Sequence, residues 1–158
     1  MPIVILALAV IALDQVSKAY LQANMAPGAS VPVIPGVFHI TYVLNPGAAF
    51  GILEHQRWFF VAVALLLVAV IVYLYPRIPA GYGLLRLGIA LQTGGAAGNA
   101  IDRLKTGYVV DFFDFRVWPV FNVADMAIVG GVALIVYSLL FPPGKGKADE
   151  DDGGDATV

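Results

Sequence analysis

The run WFFVAVALLLVAVIVYLY, residues 58–75, has eighteen positions with no charge, no glycine and no proline. A helix of that length rises about 27 Å, close to the roughly 30 Å hydrocarbon core of a bilayer. Trp58, Phe59 and Phe60 stand at one end and Tyr73 and Tyr75 at the other, where aromatic rings settle at membrane–water interfaces. Pro76 and Pro79 then end the run, because proline lacks the amide that a continuing helix needs.

Three further apolar runs flank it, at about residues 2–22, 84–101 and 123–141. The 158-residue chain is 59% hydrophobic and 13% charged, against about 45–50% and about 25% in soluble domains. Its mean hydropathy is +0.83. These features predict an all-α membrane protein with four transmembrane helices, forming one domain over residues 1–143 with an extramembrane segment at about 24–57. The first run lacks a Lys or Arg before it, and Asp14 stands where a small-residue cleavage site would be expected, so it reads as a retained helix rather than a secretory signal. Residues 144–158 are rich in Gly and Asp and predict a disordered acidic tail.

Several chemistries are disfavoured at once. The absence of cysteine removes disulfides, thiol nucleophiles and thiolate metal sites. His39 and His55 are too far apart for a metal pair on one helix. A net charge of -2 offers no clustered basic face for nucleic acid. No cofactor is expected.

Between the first two runs, Val37 to Leu44 has the β-branched and aromatic content of a strand and precedes the turn Asn45-Pro46-Gly47, after a stretch broken by Pro27, Gly28, Pro32, Pro35 and Gly36. Tyr108 to Phe115 reads as a second short strand, so a small β element is expected at the membrane surface. Four crossings would put Asp14, Lys18, Asn45, Asn99, Asp102, Arg103, Asp111, Asp114, Asn122 and Asp125 toward one face. Ionisable groups at membrane depth are costly, which makes that face the candidate site. The basic residues do not orient the bundle: Arg77, Arg86, Lys145 and Lys147 on one side balance Arg57, Arg103, Lys105 and Arg116 on the other.

Asp14 and Lys18 are four apart with the acid first, the favourable order for a helical ion pair, and mutual neutralisation accounts for them as well as a catalytic role does. Ser17 beside Lys18 suggests a serine–lysine hydrolase, but adjacent helical side chains diverge by about 100°. Asn122 and Asp125 have capping-box spacing; a carboxylate at a helix N-terminus is also suited to act as a base. In a strand Asp111 and Asp114 face opposite ways, and either one, flanked by Val and Phe, would have a raised pKa if desolvated. One of them paired with Asp125 would give two carboxylates in unlike environments, a pattern that separates acid and base roles.

Five blocks, Asp14-Gln15-Val16-Ser17-Lys18, Asn45-Pro46-Gly47-Ala48-Ala49-Phe50-Gly51, Gly95 to Arg103, Gly107 to Phe112, and Phe121-Asn122-Val123-Ala124-Asp125, together resemble the signature blocks of the bacterial lipoprotein signal peptidases, or signal peptidase II. The resemblance implies an inner-membrane, multi-pass aspartic peptidase with both termini cytoplasmic and its β element and active site toward the periplasm; a monomer is expected, although the sequence does not reveal the oligomeric state. It implies prolipoprotein substrates carrying a diacylglyceryl-cysteine, cut just before that residue among membrane lipids and without metal. By the same resemblance Asp111 and Asp125 are the catalytic pair and Asp114 is not. Asn99, Asp102, Arg103 and Asn122 shape the site, Asn45 and Gly47 help position substrate, and Asp14 and Lys18 lie around them. Two other readings compete: a small proton-coupled transporter, which needs ionisable residues near the midplane, and a scaffold in which the charges merely pair.

Overall fold

The computed structural model describes residues 2–47 and 53–143. The predicted disordered tail at 144–158, and Ala48, Ala49, Phe50 and Gly51 of the second block, lie outside the described residues. Four long helices form, α1 (Pro2–Asn24), α2 (Arg57–Leu74), α3 (Gly83–Thr106) and α4 (Val123–Leu140), with three strands, β1 (Ser30–Ile34), β2 (Phe38–Asn45) and β3 (Val109–Asp114).

Three of the four helices are long and apolar enough to cross a membrane, over Ile3–Asn24, Arg57–Arg77 and Val123–Leu140. The expected fourth crossing is not among them. α3 carries Gly94, Gly95, Gly98, Asn99 and Asp102 among its buried residues, so small and polar groups lower its hydropathy. It is nonetheless the central helix, packed against α1, α2 and α4. The glycines make this possible: a Cβ on Gly88 would stand 2.6 Å from the Gly131 carbonyl oxygen of α4, and one on Gly94 2.8 Å from that of Ala7 in α1. Small residues allow such backbone approach in lipid, where dispersion and close packing drive helix association. α2 has the opposite character. Only Val61 is buried along it, as expected of a helix with most of its surface toward hydrocarbon.

α3 also runs past its expected end at about residue 101, through Asp102, Arg103 and Lys105 to Thr106. Gly107 stops it in the left-handed region at φ +85°, its N–H donating to the Arg103 carbonyl, as glycine does after a helix C-terminus.

The strands form one antiparallel sheet in the order β1-β2-β3. β1 lies in the segment whose prolines suggested only turns, and it is exposed along its whole length. Pro32 is tolerated because an edge strand leaves amides unpaired on its outer side. Between the pairs His39–Asp114 and Val43–Asp111, β2 advances four residues and β3 three, a bulge that bends the strand. Leu21 at the end of α1 packs with Tyr42, Val110 and Phe112, which fastens the sheet to the end of the bundle where the polar residues gather.

Candidate active site

The start of α4 organises the site. Asn122 is its N-cap and both arms of the capping box close: the Asp125 N–H donates to Asn122 Oδ1 at 2.9 Å, and the Asn122 N–H to Asp125 Oδ2 at 3.2 Å. That leaves the Asn122 amide nitrogen free to bond elsewhere, and it donates to Asp111 Oδ1 at 2.7 Å. One fully buried residue therefore holds both carboxylates of the expected pair. The other oxygen of Asp111 accepts from Asn45 Nδ2 at 2.8 Å, and Asn45 Oδ1 accepts from the Gly47 amide at 2.9 Å.

Behind the carboxylates, Asn99 of α3 donates to Asp125 Oδ1 at 2.8 Å. Its own oxygen accepts from Lys18 Nζ at 2.9 Å and from Asn122 Nδ2 at 3.1 Å. Those two donors leave only its nitrogen to face Asp125. Lys18 also donates to Asp14 Oδ2 and forms an ion pair with Asp102 Oδ2, both at 2.8 Å. Lys18 is 2% exposed and Asp14 0%, so the expected helical ion pair exists deep in the bundle. Burial of such charges is tolerated only where every lone pair and proton is matched. Asp14 Oδ1 meets this condition by accepting from the Ala124 N–H at 3.0 Å, at the first turn of α4. The Ser17 hydroxyl donates to the Asp14 carbonyl, so it has no part in a serine–lysine arrangement.

Asn45, Asn99, Arg103, Asp111, Asp125 and Trp118 line a cavity of about 360 Å³. Arg103 Nη2 donates to the Gly47 carbonyl at 2.8 Å and its guanidinium lies 4.3 Å from the Phe60 ring centre, so one side chain of α3 ties the Asn45 turn to α2. Burial pushes the Asp111 carboxyl up to about 7; the Asp125 charge adds to the rise, and hydrogen bonds from Asn45 and Asn122 with the nearby Lys18 charge oppose it. Asp114 differs. Burial alone would raise its pKa, but bonds from Thr41 and from the Arg116 amide and guanidinium outweigh it and hold the carboxyl below its ordinary value. Thr41 donates to Asp114 at 2.7 Å, and Arg116 forms an ion pair with it at 3.0 Å.

Nine of the ten residues expected on one face thus join one hydrogen-bonded cluster or its cavity wall, and Asp114 stands apart on the sheet. Two participants carried too little signal in the sequence. Gln15 donates to Asp102 Oδ1 at 2.8 Å and accepts from Lys105 at 3.1 Å; an uncharged residue beside Asp14 attracts no notice, although it lies within the first block. Trp118 forms part of the cavity wall from a loop whose conformation no periodicity predicts.

A family described as Signal peptidase (SPase) II matches residues 6–141. The lipoprotein signal peptidase of Moorella thermoacetica is 53% identical over 145 residues, covering 92% of this chain and 97% of that protein. The lipoprotein signal peptidase of Pelotomaculum thermopropionicum is 46% identical over 141 residues, covering 89% and 93%. Among solved structures, a bacterial membrane enzyme determined by the in meso method at 2.3 Å resolution superposes with a TM-score of 0.81 at 34% identity, covering 98% of this chain and 94% of that one.

Proposed function

The chain belongs to the signal peptidase II family, bacterial inner-membrane proteases that process lipoprotein signal peptides, and from that premise we propose that it is an aspartic endopeptidase cutting prolipoproteins just before a diacylglyceryl-modified cysteine. The observation that carries this reading is the joint hold of Asn122 on Asp111 and Asp125 beside one cavity. Two carboxylates that interact electrostatically titrate as a unit and share a proton. The ionised member takes a proton from water as its oxygen attacks the scissile carbonyl carbon. The protonated member donates to the carbonyl oxygen. Collapse of the tetrahedral diol breaks the C–N bond and the leaving amine collects a proton from the pair. No acyl-enzyme forms and no metal takes part.

In this reading Asn45 and Gly47 position the peptide, and Arg103 braces their turn against α2. Asn99 and Asn122 orient the carboxylates, while Asp14, Lys18 and Asp102 hold Asn99 and α4 in place. All four helices cross the bilayer, α3 being shielded from lipid by the other three. Both termini are cytoplasmic. The family resemblance carries that orientation, because the basic residues stay balanced: Arg103, Lys105 and Arg116 are bonded to Gly47, Gln15 and Asp114, and Arg77 and Arg86 are likewise bonded to Tyr73 and Ile78. We take the monomer as the working unit, with Asp111 and Asp125 both supplied by the same chain. The test is cleavage of a diacylglyceryl-modified prolipoprotein in detergent: turnover that survives a chelator and disappears in folded Asp111→Asn and Asp125→Asn supports the reading. Wild-type inactivity, or an active Asp111→Asn, sinks it.

A further inference from the structure

At the end of the bundle away from the carboxylates, the starts of α1 and α3 and the short turn Tyr75–Arg77 enclose a second cavity of about 330 Å³. Ile3 and Leu6 of α1 and Leu87 and Ala90 of α3 give it apolar walls, and Arg86 gives it a guanidinium. That guanidinium is only partly used by the protein. Nη2 donates to the Ile78 carbonyl at 2.7 Å, the group lies 5.4 Å from the Tyr75 ring centre, and Nε is enclosed without a partner. Among the described residues no carboxylate pairs with it; Asp14, Glu54, Asp102, Asp111, Asp114 and Asp125 all lie toward the other end.

We propose that this cavity binds the phosphodiester headgroup of an anionic phospholipid in the leaflet opposite the candidate active site. A guanidinium offers five donors in a planar fork that matches phosphate oxygens, and a cationic pocket between membrane helices at headgroup level selects anionic lipid. The apolar walls continue inward from Arg86 along α1 and α3, so an acyl chain lies against Ile3, Leu6 and Leu87 while the phosphate meets the arginine. Arg77 shares this end of the bundle but is occupied differently: it donates to the Tyr73 carbonyl and stacks on the Tyr73 ring. The inference requires only that the bundle spans a bilayer. It does not depend on the peptidase reading.

The test is native mass spectrometry of the full chain in neutral detergent with phosphatidylglycerol, phosphatidylcholine or inorganic phosphate, alongside thermal melts to confirm folding. The wild type should retain one phosphatidylglycerol at least tenfold better than phosphatidylcholine, and phosphate alone should neither bind nor displace it. Arg86→Gln should abolish that preference and Arg86→Lys should keep part of it, while Arg77→Gln should change it less than twofold. Leu6→Trp, which fills the apolar wall and spares the charge, should also lower retention. The proposal is overturned if folded Arg86→Gln keeps the preference, if phosphate alone binds with the same Arg86 dependence, or if the preference arises only after residues 144–158 are removed, which would make the acidic tail the natural occupant.

Discussion

Asn122 donates its side-chain amide to Asp111 across 2.7 Å while its backbone begins α4. The same residue is thus a helix cap and a carboxylate holder, and no substitution separates the two entirely. Asn122→Ala should cost about 2–4 kcal/mol, the sum of a lost cap and of a buried carboxylate short of a donor, and should reduce turnover at least 100-fold. Asn122→Ser, which keeps a capping oxygen but cannot reach Asp111 as the amide does, should recover much of the stability and little of the activity. Melts and cleavage rates on the two variants check this; equal recovery of both would mean that Asn122 acts only as a cap.

The three aspartates near the sheet should divide sharply. Asp111→Asn and Asp125→Asn should abolish cleavage, while Asp114→Asn should stay within about threefold of wild type. Asp114 is engaged with Thr41 and Arg116, so its loss should show as about 1–2 kcal/mol of stability instead. A folded Asp114→Asn that cuts nothing would move the acid or base to the wrong face of β3.

The raised pKa of Asp111, about 7 against a reference of 3.8, has a stability consequence of definite sign. Between about pH 4 and pH 7 the folded chain keeps a proton that the unfolded chain has released, so stability falls as pH rises through that window. Asp111→Asn removes this effect. It should be more stable than wild type at pH 8, by at most about 4 kcal/mol, and the advantage should vanish near pH 4. Turnover of the wild type should decline above about pH 7, where the pair loses its shared proton. Melts of both proteins across pH would show the divergence, and parallel curves would mean that Asp111 is not a proton-holding group.

Lys18 sits between Asp14, Asp102 and Asn99. Lys18→Met should destabilise by about 3–5 kcal/mol because two buried carboxylates lose their counter-charge. Lys18→Met combined with Asp14→Asn should recover part of that loss. No recovery in the double variant would show that the lysine works through its contact with Asn99 rather than through charge balance.

Gly95 and Gly130 offer a packing test. A Cβ on Gly95 would collide with the Ala124 carbonyl oxygen, whereas one on Gly130 meets nothing within 4 Å. Gly95→Ala should therefore separate α3 from α4 and reduce both stability and cleavage. Gly130→Ala, in a helix interior with open space, should stabilise by about 0.5–1 kcal/mol. Equal effects in thermal melts would argue against tight α3–α4 contact.

The apolar runs were readable because each repeats one simple signal over many residues. α2 was expected at 58–75 and occupies Arg57–Leu74; α4 was expected at 123–141 and occupies Val123–Leu140. α3 was read short at its far end because hydropathy falls at Asp102, while the helix continues to the glycine that can stop it. β1 was missed because Pro32 and Pro35 suggest turns, and a strand exposed along its whole length leaves no alternation to detect. The capping box at Asn122 and Asp125 was fully local and could be read from a spacing of three.

The membrane setting, the bounds of α2 and α4, and which residue types could carry chemistry were legible in the amino-acid sequence alone, because each of those depends on neighbours within a few positions. The choice between Asp111 and Asp114 was different. Alternation along a strand says only that they face opposite ways, and the family resemblance favoured one of them without a physical reason. Tertiary structure decided their placement: with the β2 bulge and the sheet docked on Leu21, Asp111 meets Asn122, 11 residues away in sequence, and Asp114 meets Thr41, 73 away. It also decided that Lys18 reaches Asn99, 81 residues away, a contact created only when glycines let α1, α3 and α4 approach.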